Sequence, residues 1–336
     1  MKLASTILWG KLLPNLLSSF RIVIGIIIPI LLLSQPRRFP LETGVLLWAV
    51  GLFLVGSFTD FWDGWIARRQ KSETPLGRIL DPTADKILIL GTMASFAARG
   101  VYSYWFLAPI FIREIAVTFC RLVWLYQGKA IGAERAGKIK LVTQVASVLF
   151  SFAYLFISNT AFFYLNRGFL ILALFMTLYS GFFFFFNNRG LLSDKKFLRV
   201  VAALGVGYLP PFPGTYGSLL GLVFLPLISH DVLLHFLVFL GFLGLAYLVI
   251  PRLGLKKEED PLEIVIDETC GILIAFLGIP LTAWSLLAGF LVFRFFDVTK
   301  IFPLRWLESK KGTHGILLDD VGAGIYTWLV LKILTA

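Results

Sequence analysis

Apolar residues along this chain come in long unbroken runs, separated by short loops rich in Lys and Arg. A helix needs about 20 apolar residues to cross the hydrocarbon layer of a bilayer. Six runs in the first half meet that length, near residues 14–34, 43–64, 84–101, 103–126, 139–160 and 163–186. In the second half the runs are shorter and interrupted by Gly and Pro. Residues 232–250 are long enough to span, whereas 218–229 and 270–279 are too short and are expected to be re-entrant or buried in protein. A last run, 321–335, is marginal. The stretch NNRGLLSDKKFLR (187–199) is polar, basic and Gly-containing, so the boundary is expected there, with domains at 1–188 and 200–336. The expected fold class is an all-α polytopic membrane protein, a six-transmembrane-helix unit followed by a second all-α membrane-associated domain.

Composition agrees with the runs. Of 336 residues, 58% are hydrophobic and only 15% charged, which is not the balance of a soluble domain. The net charge of +11 is distributed unevenly. Arg68, Arg69, Lys71 and Arg78 share one loop region, Lys129, Arg135, Lys138 and Lys140 another, and Arg189, Lys195, Lys196 and Arg199 follow the sixth run. The alternate loops hold only Arg37 and Arg38, then Arg99, then Arg167. Cytoplasmic loops carry the excess of Lys and Arg, which puts both ends of the six-helix unit in the cytoplasm. The positive charge also suits anionic lipids or phosphates. Its scatter through short loops argues against nucleic acid. Cys120 and Cys270 lie far apart in apolar surroundings, which supports neither a disulfide framework nor a CxxC metal site. The N-terminal stretch has no clear small-residue cleavage site and is expected to be retained.

Charge inside the apolar pattern is concentrated in DFWDGWIARRQKSETPLGRILDPTADK. Asp60 and Asp63 are spaced i,i+3, and Asp81 and Asp85 i,i+4, so each pair lies on one face of its own helix. A short connection folds the two helices together and brings four carboxylates to the membrane surface. Four uncompensated charges there would repel. Divalent cations resolve the repulsion, and an all-oxygen donor set points to Mg2+ or Mn2+. Such a site suits a diphosphate substrate and in-line displacement at phosphorus. Gly64, Ala67 and Gly77 leave room for a planar base or a diphosphate. The alternative is a purely structural set of ion pairs with Arg68, Arg69, Arg78 and Lys86.

The pattern D-x2-D-G-x2-A-R-x8-G-x3-D-x3-D runs without departure through Asp60, Asp63, Gly64, Ala67, Arg68, Gly77, Asp81 and Asp85. It resembles the signature of the CDP-alcohol phosphatidyltransferases, six-helix membrane enzymes. The resemblance implies that Asp60, Asp63 and Asp81 bind metal, that Gly64, Ala67, Arg68 and Gly77 meet the substrate, and that Asp85 is the general base and also touches metal. It implies attack of an alcohol on the phosphate of CDP-diacylglycerol with departure of CMP, and a homodimer formed through the first domain. The stretches PNLLSSFRI (14–22), LDPTADK (80–86), IREIAVTFCR (112–121) and GKIKLVTQ (137–144) are similar to phosphatidylglycerophosphate synthases, which would make glycerol 3-phosphate the acceptor. That small dianion needs fixed cations, and Arg113, Arg121, Lys138 and Lys140 are available. They can equally be read as topology determinants, a weaker reading for Arg113, which sits within an apolar run beside Glu114.

The second half carries four polar islands: PPFPGTYGS (210–218), EDPLEIVIDETCG (259–271), FRFFDVTKIFPLRW (293–306) and GTHGILLDDVGAG (312–324). Glu263, Asp267 and Glu268 have a spacing compatible with one helix face, Asp297 and Lys300 are at i,i+3, and Asp319 and Asp320 are adjacent. With hairpins through the intervening apolar segments, all four islands reach the cytoplasmic side. No covalent nucleophile is obvious. Carboxylates with a Lys and an Arg suggest metal-activated water attacking a phosphate monoester, and structural ion pairs are the alternative. These islands resemble the motif regions of the phosphatidylglycerophosphatase A family, which implies Mg2+-dependent hydrolysis of phosphatidylglycerophosphate. The matching positions are Glu263, Asp267, Glu268, Asp297, Lys300, Asp319 and Asp320, with Thr215 and Arg294 as phosphate contacts. His314 reads as a solvated loop residue.

The two halves together read as a bifunctional bacterial inner-membrane enzyme that makes phosphatidylglycerophosphate and then hydrolyses it to phosphatidylglycerol. Three other readings remain: a transferase for another alcohol (inositol phosphate or serine) with a matched phosphatase, a catalytically silent second half acting as membrane scaffold, and a transporter. The last is disfavoured because the acids gather at one interface rather than at mid-bilayer.

Overall fold

The computed structural model describes residues 2–36, 41–70, 77–127, 135–255, 261–310 and 312–335. Among them the chain is helical without a strand, and it divides into two compact units, Met1–Asn187 and Asn188–Ala336.

The first unit is built from α1 (Lys2–Ser34), α2 (Thr43–Gln70), α3 (Gly77–Ala98), α4 (Tyr104–Tyr126), α5 (Arg135–Ile157) and α6 (Thr160–Asn187). α1 and α3 approach closely because glycines face each other. A Cβ on Gly25 would meet the Leu88 backbone nitrogen at 2.8 Å, and one on Gly91 would meet the Gly25 carbonyl at 3.0 Å. Small residues allow such contact where lipid gives no hydrophobic drive for helices to associate. Arg99, past the end of α3, donates to the carbonyls of Leu32 (2.7 Å), Gln35 (3.1 Å) and Pro36 (2.6 Å). It thereby satisfies the acceptors that the end of α1 leaves open. α5 and α6 pack through a polar seam, in which Ser151 donates to Asn166 at 2.9 Å and Gln144 to Thr177 at 3.1 Å.

Among the described residues, four helical stretches are long and apolar enough to cross a membrane: Asn15–Ser34, Ala136–Ile157, Thr160–Asn187 and Val232–Leu253. The chain is thus an all-α membrane protein. Three of the six expected spans of the first unit are not among these four. α3 carries Asp81, Asp85 and Lys86, α4 carries Arg113, Glu114 and Arg121, and α2 is apolar over Thr43–Thr59, its later side chains lying outside the described residues.

The second unit starts with a 3-10 turn (Arg189–Ser193) and α7 (Lys195–Ala202), whose first turn is capped by Asp194. There follow α8 (Pro213–Ile228), α9 (Val232–Leu253), α10 (Ile266–Ala275), α11 (Ala283–Thr299), α12 (Leu304–Glu308) and α13 (Thr313–Thr335). α10 is the hub, packed by α8, α9 and α13. The short run at 270–279 is therefore enclosed by protein, and Cys270, Ile272, Leu273 and Phe276 are fully buried. Glycines let α10 and α13 touch, since a Cβ on Gly324 would lie 2.2 Å from the Gly271 carbonyl. The marginal run 321–335 is the later part of α13, whose first turns hold Asp319 and Asp320.

Candidate active sites

In the first unit Asp81 and Asp85 stand one turn apart on α3, both half-buried. Residues on α1 meet them: Ser18 Oγ donates to Asp81 Oδ1, and Arg21 Nη1 donates to Asp85 Oδ1 at 2.5 Å. Asp60, Asp63, Gly64, Ala67 and Arg68 fall on the last turns of α2, and their side chains lie outside the described residues. Gly77 opens α3 and is buried.

The expected cations separate into different settings. Lys140 and Arg113 converge on Glu114, at 2.5 and 3.3 Å. Gln144 Nε2 adds a third donor to the same oxygen at 3.1 Å. Arg121 lies over the Phe184 ring, 5.6 Å from its centroid. Lys138, two residues before Lys140 on α5, is exposed. Lys86 links the two regions, being within electrostatic reach of Asp85, Glu114, Arg113 and Arg121. The cations thus border the α3 carboxylates.

In the second unit Asp267 and Glu268 open α10, and α13 brings Asp320 to them. One oxygen from each of these three lies within 4.8 Å of the others. Asp297, near the end of α11, faces Asp320 and accepts from Arg294 Nη1 at 2.6 Å. The start of α8 closes the group, for a Cβ on Gly214 would meet Glu268 Oε1 at 2.2 Å and Arg294 Nη1 at 3.2 Å. Thr215 follows in that first turn, its backbone N–H donating to the Phe212 carbonyl at 3.1 Å. Lys300 ends α11 with φ 44°, and its ammonium donates to Asp319 at 2.8 Å and Glu308 at 2.6 Å.

Glu263 differs from its expected place on one face with Asp267 and Glu268. α10 begins only at Ile266, and Glu263 precedes it, 4.0 Å from Arg199. His314 is exposed as expected but belongs to the first turn of α13, and Tyr247 Oη meets its Nδ1 at 3.1 Å.

The electrostatics of the second cluster are those of crowded anions. Burial pushes the Glu268 carboxyl above its ordinary range, and Asp297 adds to the shift. Burial raises Asp320 much further, with Asp297, Glu268 and Asp319 all acting the same way. Burial alone would lower Lys300, but its hydrogen bonds to Asp319 and Glu308 outweigh this and leave it raised. Glu268 Oε2 and Asp319 Oδ1 are buried without a hydrogen-bond partner. An unsatisfied buried carboxylate oxygen is costly. An oxygen-rich donor set with open lone pairs fits a hard divalent cation. In the first unit the fit rests on the donor chemistry of Asp81 and Asp85.

Ser18, Arg21, Gln144 and Glu308 were not among the expected site residues. Arg21 had a signal, a lone cation within an apolar run. Glu308 had none, because its link to Lys300 depends on the turn into α12.

Two family models match the chain: CDP-alcohol phosphatidyltransferase over residues 11–179 and phosphatidylglycerophosphatase A over residues 199–335. A phosphatidylglycerophosphatase A of Haemophilus influenzae is 37% identical over 138 residues, covering 39% of this chain and 84% of the relative. A CDP-diacylglycerol–glycerol-3-phosphate 3-phosphatidyltransferase of Bacillus subtilis is 33% identical over 186 residues, 52% of this chain and 94% of the relative. A Bacteroides thetaiotaomicron protein provisionally named a phosphatidylinositol-3-phosphatase is 33% identical over 151 residues, 41% of this chain and 94% of the relative. The chain belongs to both families, to the CDP-alcohol phosphatidyltransferases by its first half and to the phosphatidylglycerophosphatases A by its second.

Proposed function

We propose that the chain makes phosphatidylglycerol in two consecutive steps, one in each family region. The observation that carries this reading is that each half belongs to a family of enzymes for one of two successive reactions. The gathering of Asp267, Glu268 and Asp320 supports it in the second half, and Asp81 and Asp85, one turn apart on α3, support it in the first.

In the first step Asp85 takes the proton of a glycerol 3-phosphate hydroxyl. The freed oxygen bonds to the phosphatidyl phosphorus of CDP-diacylglycerol, the bond to CMP breaks, and CMP leaves with its phosphate. Asp60, Asp63 and Asp81 are the residues that would hold Mg2+ or Mn2+. Gly64, Ala67, Arg68 and Gly77 border the nucleotide. Lys140 and Arg113, already gathered on Glu114, offer charge to the acceptor phosphate, with Arg121 and Lys138 farther out.

In the second step water attacks the terminal phosphorus of phosphatidylglycerophosphate, the bond from that phosphorus to the glycerol oxygen breaks, and a proton from the water passes to that oxygen, giving phosphatidylglycerol and inorganic phosphate. Asp267, Glu268, Asp297 and Asp320 are the residues for a cation, with Asp319 and Glu263 as outer carboxylates. Arg294, Lys300 and the first turn of α8 at Thr215 receive the phosphate. A bound divalent cation would neutralise phosphate charge and lower the pKa of water in either site.

The domains are 1–188 and 200–336, both sites face the cytoplasm of a bacterial inner membrane, and the chain is a homodimer through its first domain. The loop charges support the orientation. One chain carrying both sites shortens the path of the intermediate and raises its effective concentration. The Bacteroides relative's name favours a second reading, in which the chain processes an inositol phosphate lipid. Competition between unlabelled glycerol 3-phosphate, inositol phosphate and serine in a CMP-release assay tests this. Glycerol 3-phosphate as the preferred acceptor supports the first reading, and inositol phosphate would replace it with the second.

A further inference from the structure

The carboxylates of the second unit stand beside the spanning helix α9 rather than beyond its end. α13 is tied to α9 at two levels. In its first turn, His314 Nδ1 meets Tyr247 Oη at 3.1 Å. Near its end, Lys332 Nζ donates to the Gly278 carbonyl at 3.1 Å, and a Cβ on Gly278 would lie 3.6 Å from Val232, the first residue of α9. Asp319 and Asp320 lie on α13 between these two ties. The cluster thus sits at a depth that α9 occupies, and α9 is long and apolar enough to cross the bilayer.

Two loops beside the cluster expose aromatic side chains. Phe212 stands at the start of α8, just ahead of Gly214, whose neighbours are Glu268 and Arg294. Phe302 follows Lys300, the partner of Asp319. Phe212 is 66% and Phe302 81% exposed. Neither loop hangs free. Tyr216 Oη donates to the Pro210 carbonyl at 3.4 Å, and Tyr326 Oη donates to the Phe302 carbonyl at 3.2 Å. Tyr326 lies past Asp320 on α13, so the Phe302 turn reaches from the cluster toward the Lys332 end.

Large apolar side chains held open in this way mark a contact surface. At the depth of a spanning helix the surroundings are lipid, and amphipathic aromatic rings gather where headgroups meet acyl chains. Beyond the same turn, Trp306 carries the Lys310 ammonium 4.2 Å from its ring centroid, which sets a cation for anionic headgroups.

We propose that the second site opens sideways into the leaflet past Phe212 and Phe302. These rings receive the glycerol and first acyl methylenes of a lipid phosphate monoester while its phosphate reaches Arg294 and Lys300. The lipid enters from the bilayer and not through water. The inference rests on the phosphatase reading and adds the route and the side chains that select a lipid-borne ester.

The test uses the full chain in vesicles of phosphatidylcholine with phosphatidylglycerol. Phe302→Cys and Phe212→Cys are labelled with a nitroxide, and exposed Ser309→Cys is the water-facing reference. Cys120 and Cys270 are buried, and wild type measures their background. The two rim labels should be relaxed more by dissolved oxygen, which concentrates in hydrocarbon, than by a water-soluble nickel chelate, and the reference label the reverse. In a second measurement, Phe212→Ser combined with Phe302→Ser should lower the preference for vesicle-borne phosphatidylglycerophosphate over its water-soluble dibutanoyl form by about tenfold, as expected for lost apolar contact. Rings with a merely structural role would slow both esters alike, and an unchanged preference overturns the proposal. Rim labels as open to the chelate as the reference overturn it too. So does shielding from both agents, which would mean that protein covers the rings. If the double variant does not fold, the labels decide. Absence of phosphate release from wild type with either ester would instead refute the phosphatase reading, and the labels would still show whether the rings face lipid.

Discussion

Lys140 and Glu114 are 26 positions apart in the chain and 2.5 Å apart in the fold, both buried. In the transferase step proposed above, binding of the acceptor phosphate would draw Lys140 and Arg113 partly away from Glu114. Lys140→Met should raise the KM for glycerol 3-phosphate by about 10–100-fold, the range of one charge-assisted hydrogen bond, with little change in the KM for CDP-diacylglycerol. Exposed Lys138 should matter much less. Initial rates of CMP release against each substrate would measure both.

Removing Glu114 itself should act on stability. Glu114→Ala takes the carboxylate from buried Lys140, and breaking such a pair from one side costs roughly 3–5 kcal/mol. The expected outcome is loss of folded protein after extraction, read by size-exclusion chromatography. Glu114→Gln keeps an acceptor and should be milder.

Lys300 bridges Asp319 and Glu308 beside the second carboxylate cluster. Lys300→Met should slow release of phosphate from supplied phosphatidylglycerophosphate by roughly 10²–10³-fold, as when one preorganised donor to a developing charge is lost. CMP release should be unchanged. Glu308→Gln should cost less, because Asp319 still holds the ammonium.

The second cluster sets a pH dependence for the metal-free protein. Glu268 and Asp320 have raised folded pKa values. Unfolded, they would titrate at about 4 to 4.5. The folded state therefore binds more protons than the unfolded state above that range. Stability that is fully present below it is lost as pH rises through the raised values. In a chelator the unfolding temperature of the second unit should fall as pH rises from about 4.5 toward neutrality. Added Mg2+ should stabilise more at pH 7 than at pH 5, because protons no longer compete for the carboxylates. A thermal unfolding series at several pH values, with and without Mg2+, checks both signs.

The contact between Gly324 and the Gly271 carbonyl gives a test that separates the units. Gly324→Ala places a methyl at 2.2 Å from that oxygen and forces α13 off α10, where Asp320 meets Glu268. Overpacking of this kind costs about 1–3 kcal/mol or more. Phosphatase activity should be lost while CMP release persists, as measured on the same preparation.

Much of this was readable from the residues alone, for physical reasons. α1, α5, α6 and α9 announce themselves because a spanning helix must be apolar along its whole length. The pairing of Asp81 with Asp85 follows from helical periodicity. α10 was harder, since a ten-residue, largely buried helix looks the same in sequence whether it dips into lipid or into protein, and the close contacts at the glycines of α8 and α13 reveal the latter. The position of Glu263 depended on where α10 starts, a boundary that no cap residue marks. Contacts across distant segments, such as Arg21 with Asp85 and Lys300 with Glu308, depend on how helices cross, and spacing within one helix does not encode that.

The central claim is that one chain carries out both steps. Purified protein would be given CDP-diacylglycerol, radiolabelled glycerol 3-phosphate and Mg2+, and the labelled lipids resolved for wild type, Asp85→Asn and Asp267→Asn. The account predicts phosphatidylglycerol from wild type, phosphatidylglycerophosphate accumulating with Asp267→Asn, and neither lipid with Asp85→Asn. Phosphatidylglycerophosphate as the sole product of wild type, unchanged by Asp267→Asn, would contradict it.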